Sequence, residues 1–123
     1  METIVVNERR DYSEFKKLDK RVREVAYRYR YAQSKIQAHE QSLKKDQFMF
    51  RETSEPSKET RRFEKVLFAV DNAIRFLEPE HQQVITKDYL IAEEDFWWIH
   101  CYSRSTYYRV KRKAMQEFLS FFD

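Results

Sequence analysis

The 123-residue sequence contains no glycine, whereas average usage would give about nine. Glycine supplies the positive-φ positions of hairpin turns and allows the close backbone approach of phosphate-binding loops. Its absence excludes a P-loop, a dinucleotide fingerprint and the G-x-S-x-G nucleophile elbow, and it disfavours a β-rich fold. Since 37% of the residues are charged and 41% are hydrophobic, we expect an all-α, water-facing protein.

Apolar residues recur every three or four positions from residue 12 to about residue 47, which is the a/d pattern of a long heptad helix. The stripe comprises Phe15, Leu18, Val22, Val25, Tyr29, Ala32, Ile36, His39 and Leu43. Residues 1–10 are predicted to be a tail. A helix of this length would span about 50 Å, so it must project, dimerise or lie along the other helices.

The polar segment 51–58, which contains Pro56, is predicted to be a linker. It separates an N-terminal region, residues 1–50, from a helical domain, residues 59–123. We interpret the N-terminal region as a tail and a long helix that serve as a dimerisation or partner-binding arm.

Capping signals predict four helices after the linker, because Ser and Pro favour helix starts. Ser57 should cap the second helix, which ends near Leu77, and Pro79 should begin the third. A short fourth helix is expected from the acidic residues Glu93, Glu94 and Asp95, and it would include Phe96, Trp97 and Ile99. Ser103 should cap a fifth helix that ends near Phe121.

Charge is unevenly distributed near the C-terminus. Residues 78–103 contain six acidic residues and one cation, whereas residues 104–116 contain five cations and no acid. A one-sided basic stretch is what a phosphate-binding surface requires, because each neutralised phosphate releases counterions. A solvated helix face is the alternative interpretation.

A tight pair of short helices whose second member has a polar, basic face is typical of a helix-turn-helix. On a helical wheel, the apolar side of the fifth helix holds Tyr107, Val110, Ala114, Phe118 and Phe121. The opposite side holds Ser105, Tyr108, Arg109, Arg112 and Gln116. The polar side could enter a DNA major groove, where Arg pairs with guanine, while Lys111 and Lys113 flank it at the positions of backbone phosphates.

Two segments resemble known regulators. LEPEHQQVITKDYL (77–90) resembles the opening of sigma-factor region 4, although Glu78 separates Leu77 from Pro79. YSRSTYYRVKRKAMQEFLSFF (102–122) resembles the recognition helix of the ArpU family, which are small phage-associated regulators of late transcription with a sigma-region-4-like helix-turn-helix. The stretch from the start of the first segment to the end of the second, residues 77–122, covers a little over a third of the chain.

The resemblance implies that Ser103 caps the last helix and that Tyr107 and Val110 anchor it in the core. With the flanking cations, the predicted DNA-binding residues are Arg104, Ser105, Thr106, Tyr108, Arg109, Lys111, Arg112 and Lys113.

Two positions depart from that pattern. Cys101 stands where the motif carries a glycine in the turn, and a left-handed conformation there would cost about 1–2 kcal/mol. Trp97 stands where the first helix of the motif has a small residue for close packing. We therefore expect a first helix that is shifted in register or a remodelled motif.

The predicted function is DNA binding in transcription regulation, with double-stranded DNA as the partner. RNA polymerase and a second copy, bound through the N-terminal helix, are further predicted partners. The alternative is a non-enzymatic module that binds RNA polymerase or another protein, which an exposed apolar patch around Trp98 would favour.

No catalytic pair or triad is evident, since Cys101 beside His100 is no dyad on adjacency alone, so we expect no enzyme. Neither a cofactor nor a metal is expected, because the histidines are scattered and the single cysteine allows no zinc spacing. One cysteine and the lack of a long apolar run favour a cytoplasmic protein with no membrane association.

Overall fold

The computed structural model describes residues 2–48, 57–91 and 95–123, with side chains described for 12–45 and for the two later ranges. Within these ranges the protein is all-α and contains no strand, as predicted. The first helix is α1, Glu2–Phe48, and α2 is Lys58–Phe76. The third, α3, is Pro79–Ile85 and continues as a π-helical turn, Thr86–Leu90, and the last is α4, Arg104–Ser120.

Helix α1 starts earlier than predicted. Residues 2–10 of the expected tail are helical, and α1 therefore has 47 residues, or a length of about 70 Å. The first 48 residues contain neither glycine nor proline, and propagation of an existing helix adds one hydrogen bond per residue. The helix therefore continues although its first turns lack the heptad stripe.

The long helix lies along the others, which is one of the three predicted arrangements. Val22 and Ala26 are buried and belong to the same core as Val70 and Ala73 of α2. The hydroxyl of Tyr29 donates a hydrogen bond to Asp71 Oδ1 at 2.7 Å. The expected arm is therefore packed against the helical domain from Phe15 to Tyr29.

The predicted helix caps are confirmed. Ser57 Oγ accepts a hydrogen bond from the backbone N–H of Thr60 at 3.1 Å, and Pro79 occupies the first turn of α3. Ser103 Oγ accepts from the backbone N–H of Thr106 at 3.3 Å. Residues 51–56 of the predicted linker lie outside the described residues.

The predicted fourth helix is wrong. Glu93 and Glu94 lie outside the described residues, and Asp95 to Cys101 form successive turns. Phe96 has a φ of 61°, a left-handed conformation that cannot be extended into a right-handed helix. The turns instead place Trp98 against α4, where its ring stacks on Tyr107 with centroids 4.2 Å apart.

The core lies where α1, α2, α3, the π-helical turn and α4 meet. Its largest fully buried side chains are Tyr107, Phe118, Ile85, Met115, Val22, Val70 and Val84. Phe121, which we expected on the apolar side of the last helix, is 45% exposed and lies one residue beyond the end of α4. Among the described residues, no helix is both long and apolar enough to cross a bilayer.

Candidate nucleic-acid interface

Helix α4 divides into an inward and an outward face, as its periodicity predicts. The buried residues of the helix are Tyr107, Ala114, Met115, Phe118 and Leu119, and Val110 is half-buried. The exposed residues between Arg104 and Gln116 are Arg104, Ser105, Thr106, Tyr108, Arg109, Lys113 and Gln116. Six of the eight predicted DNA-binding residues thus lie on the exposed surface.

Lys111 is the clearest exception. Its side chain is only 13% exposed, and its Nζ lies 3.0 Å from Oδ2 of Asp88, which is equally buried. The ammonium also lies 5.0 Å from the ring centroid of Tyr89, within the range of a cation–π interaction. The prediction that Lys111 contacts a DNA phosphate is therefore corrected: its charge is used inside the protein.

Asp88 holds together what we call the Asp88 cluster, which consists of Asp88, Trp97, Tyr107 and Lys111. Trp97 Nε1 donates to Asp88 Oδ1 at 2.6 Å, and the Tyr107 hydroxyl donates to Oδ2. Burial raises the pKa of Tyr107, and the hydrogen bond to the Asp88 carboxylate raises it further. Every charge in this cluster is thereby paired, as a buried ion pair requires.

Tyr89, which follows Asp88 on the π-helical turn, connects this turn to α1. The Tyr89 hydroxyl donates to Asp19 Oδ1 at 2.5 Å, and Arg23 Nε donates to the other oxygen at 2.8 Å. Partial burial would raise the pKa of Asp19, but the hydrogen bonds from Tyr89 and Arg23 outweigh it and lower the pKa below its usual value. Burial and the same hydrogen bond raise the pKa of Tyr89.

Arg112 is half-buried rather than fully exposed. Its Nη2 donates to Glu14 Oε2 of α1 at 3.1 Å, and 34% of its side chain is exposed. This predicted DNA-binding residue therefore lies at the junction of α4 with α1, where an acidic side chain already contacts it.

A groove of about 730 Å³ runs between α1 and the outward face of α4. We call it the α1–α4 groove, and its lining residues are Tyr12, Phe15, Lys16, Asp19, Arg104, Tyr108, Arg109 and Arg112. The rings of Phe15 and Tyr108 meet edge to face, with centroids 5.6 Å apart. Four of the eight lining residues are cations and one is a carboxylate, so the groove suits an anionic ligand.

Sequence reasoning missed the α1 side of this groove. Phe15 was assigned to the heptad stripe, and Tyr12 and Lys16 were not assigned a role. The available signal was the i, i+4 spacing of Tyr12 and Lys16, which places them on one helix face; the Lys16 Nζ lies 4.7 Å from the Tyr12 ring centroid. The spacing does not indicate which helix that face contacts.

The connection that precedes α4 differs from a tight helix-turn-helix. The nearest preceding helical residue that the structure describes is Leu90 at the end of the π-helical turn. Trp97, which the resemblance placed in a first helix, lies instead in the turns, and Lys87 Nζ sits 4.7 Å from its ring centroid. Among the described residues, Trp97 therefore belongs to no helix, and the two expected alternatives, a shifted first helix or a remodelled motif, stay predictions.

The left-handed conformation occurs at Phe96 and not at Cys101. Phe96 is the one described residue with a positive φ, so Cys101 does not adopt the conformation in which glycine is favoured. Cys101 is exposed, and its backbone N–H donates to the carbonyl of Trp98 at 2.9 Å. The missing glycine therefore carries no conformational penalty at Cys101.

A second polar contact joins the start of α3 to the end of α4. His81 Nδ1 lies 2.6 Å from Glu117 Oε2, and the backbone N–H of Glu78 donates to Glu117 Oε1 at 3.0 Å. In the described part of the chain, these three residues form the one group with ligand atoms close enough to hold a metal ion. Since both oxygens of Glu117 already accept protein hydrogen bonds, we assign the group to the fold.

The chain matches no protein-family model, no curated protein and no solved structure. The similarity of its C-terminal third to sigma-factor region 4 and to the ArpU family therefore stays a prediction from the residues.

Proposed function

We propose that the protein binds double-stranded DNA through the outward face of α4 and thereby regulates transcription in the cytoplasm. The observation that carries the proposal is the concentration of cations at the α1–α4 groove. Arg104, Arg109 and Arg112 line it together with Lys16. Its one carboxylate, Asp19, is already hydrogen-bonded to Tyr89 and to Arg23, so the groove keeps its attraction for phosphate.

The spacing of the exposed residues suggests how α4 would meet a major groove. Ser105, Arg109 and Gln116 are separated by four and seven positions and share one stripe. An arginine on such a stripe can pair with guanine O6 and N7, while serine and glutamine offer adaptable hydrogen bonds. Arg104 and Arg112 lie towards α1 and Lys113 is exposed on α4, which suits contacts with backbone phosphates. Lys111 is not among the proposed DNA contacts, because its ammonium is paired with Asp88.

A protein-binding module is the alternative. Trp98, whose exposure would have favoured it, is 7% exposed and stacks on Tyr107. Phe96 and Ile99 remain 62% and 58% exposed, so RNA polymerase or another protein could still bind beside α4. The DNA-binding proposal is preferred because single exposed apolar side chains are common on any protein surface.

The heptad stripe does not favour the expected homodimer. From Phe15 to Tyr29 its residues pack against the core of the same chain, so that part of α1 is occupied. We therefore propose that one chain recognises one DNA site, without two-fold half-sites. A dimer on DNA would have to use another surface.

The test is the affinity for duplex DNA, measured by fluorescence anisotropy on sites selected from random duplexes. Arg104→Ala combined with Arg109→Ala should weaken binding by at least about tenfold, since a base contact such as that proposed for Arg109 is worth roughly 1–3 kcal/mol and Arg104 would supply a phosphate contact as well. Lys58→Ala combined with Lys65→Ala removes two exposed cations from α2 and serves as the matched control, with a change below about threefold.

Two results would contradict the proposal. The first is a wild-type protein that does not bind any duplex at about 50 mM salt, where phosphate contacts are strong. The second is an equal loss of DNA affinity in the α4 and α2 double variants, which would mean that binding depends only on net charge.

A further inference from the structure

We propose that the α1–α4 groove holds the sugar–phosphate backbone of one DNA strand, with Lys16 of α1 as a phosphate contact opposite Arg104 and Arg112 of α4. This inference rests on the proposed function and adds a second helix to the interface. Nothing in the sequence pattern assigns α1 to the contact with DNA. The long helix would then support α4 and also contact the same strand.

The two walls of the groove present matching chemistry. On α1, Tyr12 and Lys16 lie one turn apart, and on α4, Arg104, Tyr108 and Arg112 lie one turn apart. All five line the same space. Tyr12 is 62% and Tyr108 is 39% exposed, so each offers a hydroxyl donor for a phosphate oxygen and a ring face for a sugar.

Lys16 is available for such a contact. Its side chain is exposed, and its Nζ lies over the Tyr12 ring at 4.7 Å. In the part of the chain that the structure describes, no carboxylate pairs with this ammonium. Lys111 differs, because its charge is neutralised by Asp88 at 3.0 Å. A phosphate in the groove would give Lys16 an anionic partner.

The shape of the site favours an extended occupant. The space is an open groove between two helices rather than an enclosed cavity. A polymer backbone can pass through an open groove and continue beyond it, whereas a small ligand would use only the groove.

The experiment compares the salt dependence of DNA binding for the wild type and Lys16→Ala, on the selected duplex and on an unrelated duplex. Loss of one phosphate contact should make the log–log slope shallower by about 0.9. Affinity should fall by the same factor on both duplexes, because a backbone contact carries no sequence information. Lys16→Arg should restore the slope.

Lys20→Ala is the matched control, because Lys20 is exposed on the same helix and does not line the groove; its slope should equal that of the wild type. An unchanged slope for Lys16→Ala overturns the inference and leaves the proposed function standing. A loss confined to the selected duplex also overturns it, since that would indicate a base contact. A wild-type protein that binds neither duplex overturns the proposed function itself.

Discussion

Arg109 and Lys111 are two positions apart on α4 but belong to different regions of the molecule. Arg109 is exposed and lines the α1–α4 groove. Lys111 is 13% exposed and paired with Asp88. The comparison shows that a run of cations in the sequence is not one surface, because the helical period turns neighbouring charges in different directions. The Asp88 cluster should govern stability, and the groove should govern binding.

The largest effect should come from breaking the Asp88 cluster. Asp88→Ala leaves the Lys111 ammonium without its carboxylate and removes the acceptor of Trp97 and Tyr107, which should cost about 3–5 kcal/mol of unfolding free energy. Urea denaturation measures it. Asp88→Ala with Lys111→Met also removes the buried charge and should recover part of the loss. An unfolding free energy of Asp88→Ala within about 1 kcal/mol of the wild-type value would contradict a stabilising role for the Asp88 cluster.

Tyr89→Phe should have the next largest effect. It removes the hydroxyl that donates to Asp19, and a hydrogen bond to a charged group is worth about 1.5–3 kcal/mol. Because the pKa of Asp19 is lowered in the folded protein, its contribution is present above the pKa of the unfolded chain, about 3.9, and is lost as the pH falls through the folded value.

The stability gap between wild type and Tyr89→Phe should therefore narrow as the pH falls below about 4. Urea denaturation at neutral pH and near pH 3 measures this narrowing. A gap that stays constant over the range would mean that the hydroxyl does not stabilise the ionised carboxylate.

The two serine caps offer a matched pair with a smaller effect. Ser57→Ala and Ser103→Ala should each cost about 1 kcal/mol, because each removes one N-cap hydrogen bond. Only Ser103→Ala should also weaken DNA binding, because it loosens the first turn of α4, where Arg104 begins the helix. Thermal unfolding and anisotropy measure the two effects, and equal DNA affinities for both variants would count against the role of α4.

The smallest effect should come from Glu14→Gln. An exposed ion pair contributes only about 0–1 kcal/mol, so stability should barely change on losing the contact with Arg112. DNA affinity should rise about two- to fivefold, because a carboxylate that competes with phosphate is removed. Glu24→Gln, an exposed change on the same helix, is the control, and equal affinities for the two variants would contradict the expectation.

Local signals predicted much of the fold. Helix caps and starts depend on residues within one turn. The sequence therefore predicts the caps at Ser57 and Ser103 and the helix start at Pro79. The early start of α1 was missed because the first turns lack an apolar stripe. The fourth helix was predicted wrongly because Phe96 adopts a left-handed conformation, in a segment where Trp98 packs on α4.

The candidate site was predicted only in part, because helical periodicity is also a local signal. Periodicity places Arg109 outward and the resemblance adds Arg104, and the structure leaves both side chains exposed. Periodicity could not remove Lys111 from the surface, since that depends on Asp88 across the packed helices. Nor could it supply Lys16, because a heptad pattern does not state which helix α1 will meet.

The most direct test of the central claim is the dependence of DNA affinity on salt for the wild-type protein. Four phosphate contacts, from Lys16, Arg104, Arg112 and Lys113, predict a log–log slope of about −3 to −4. A slope near zero, or no binding at about 50 mM salt, would contradict the claim that the outward face of α4 is a DNA-binding surface.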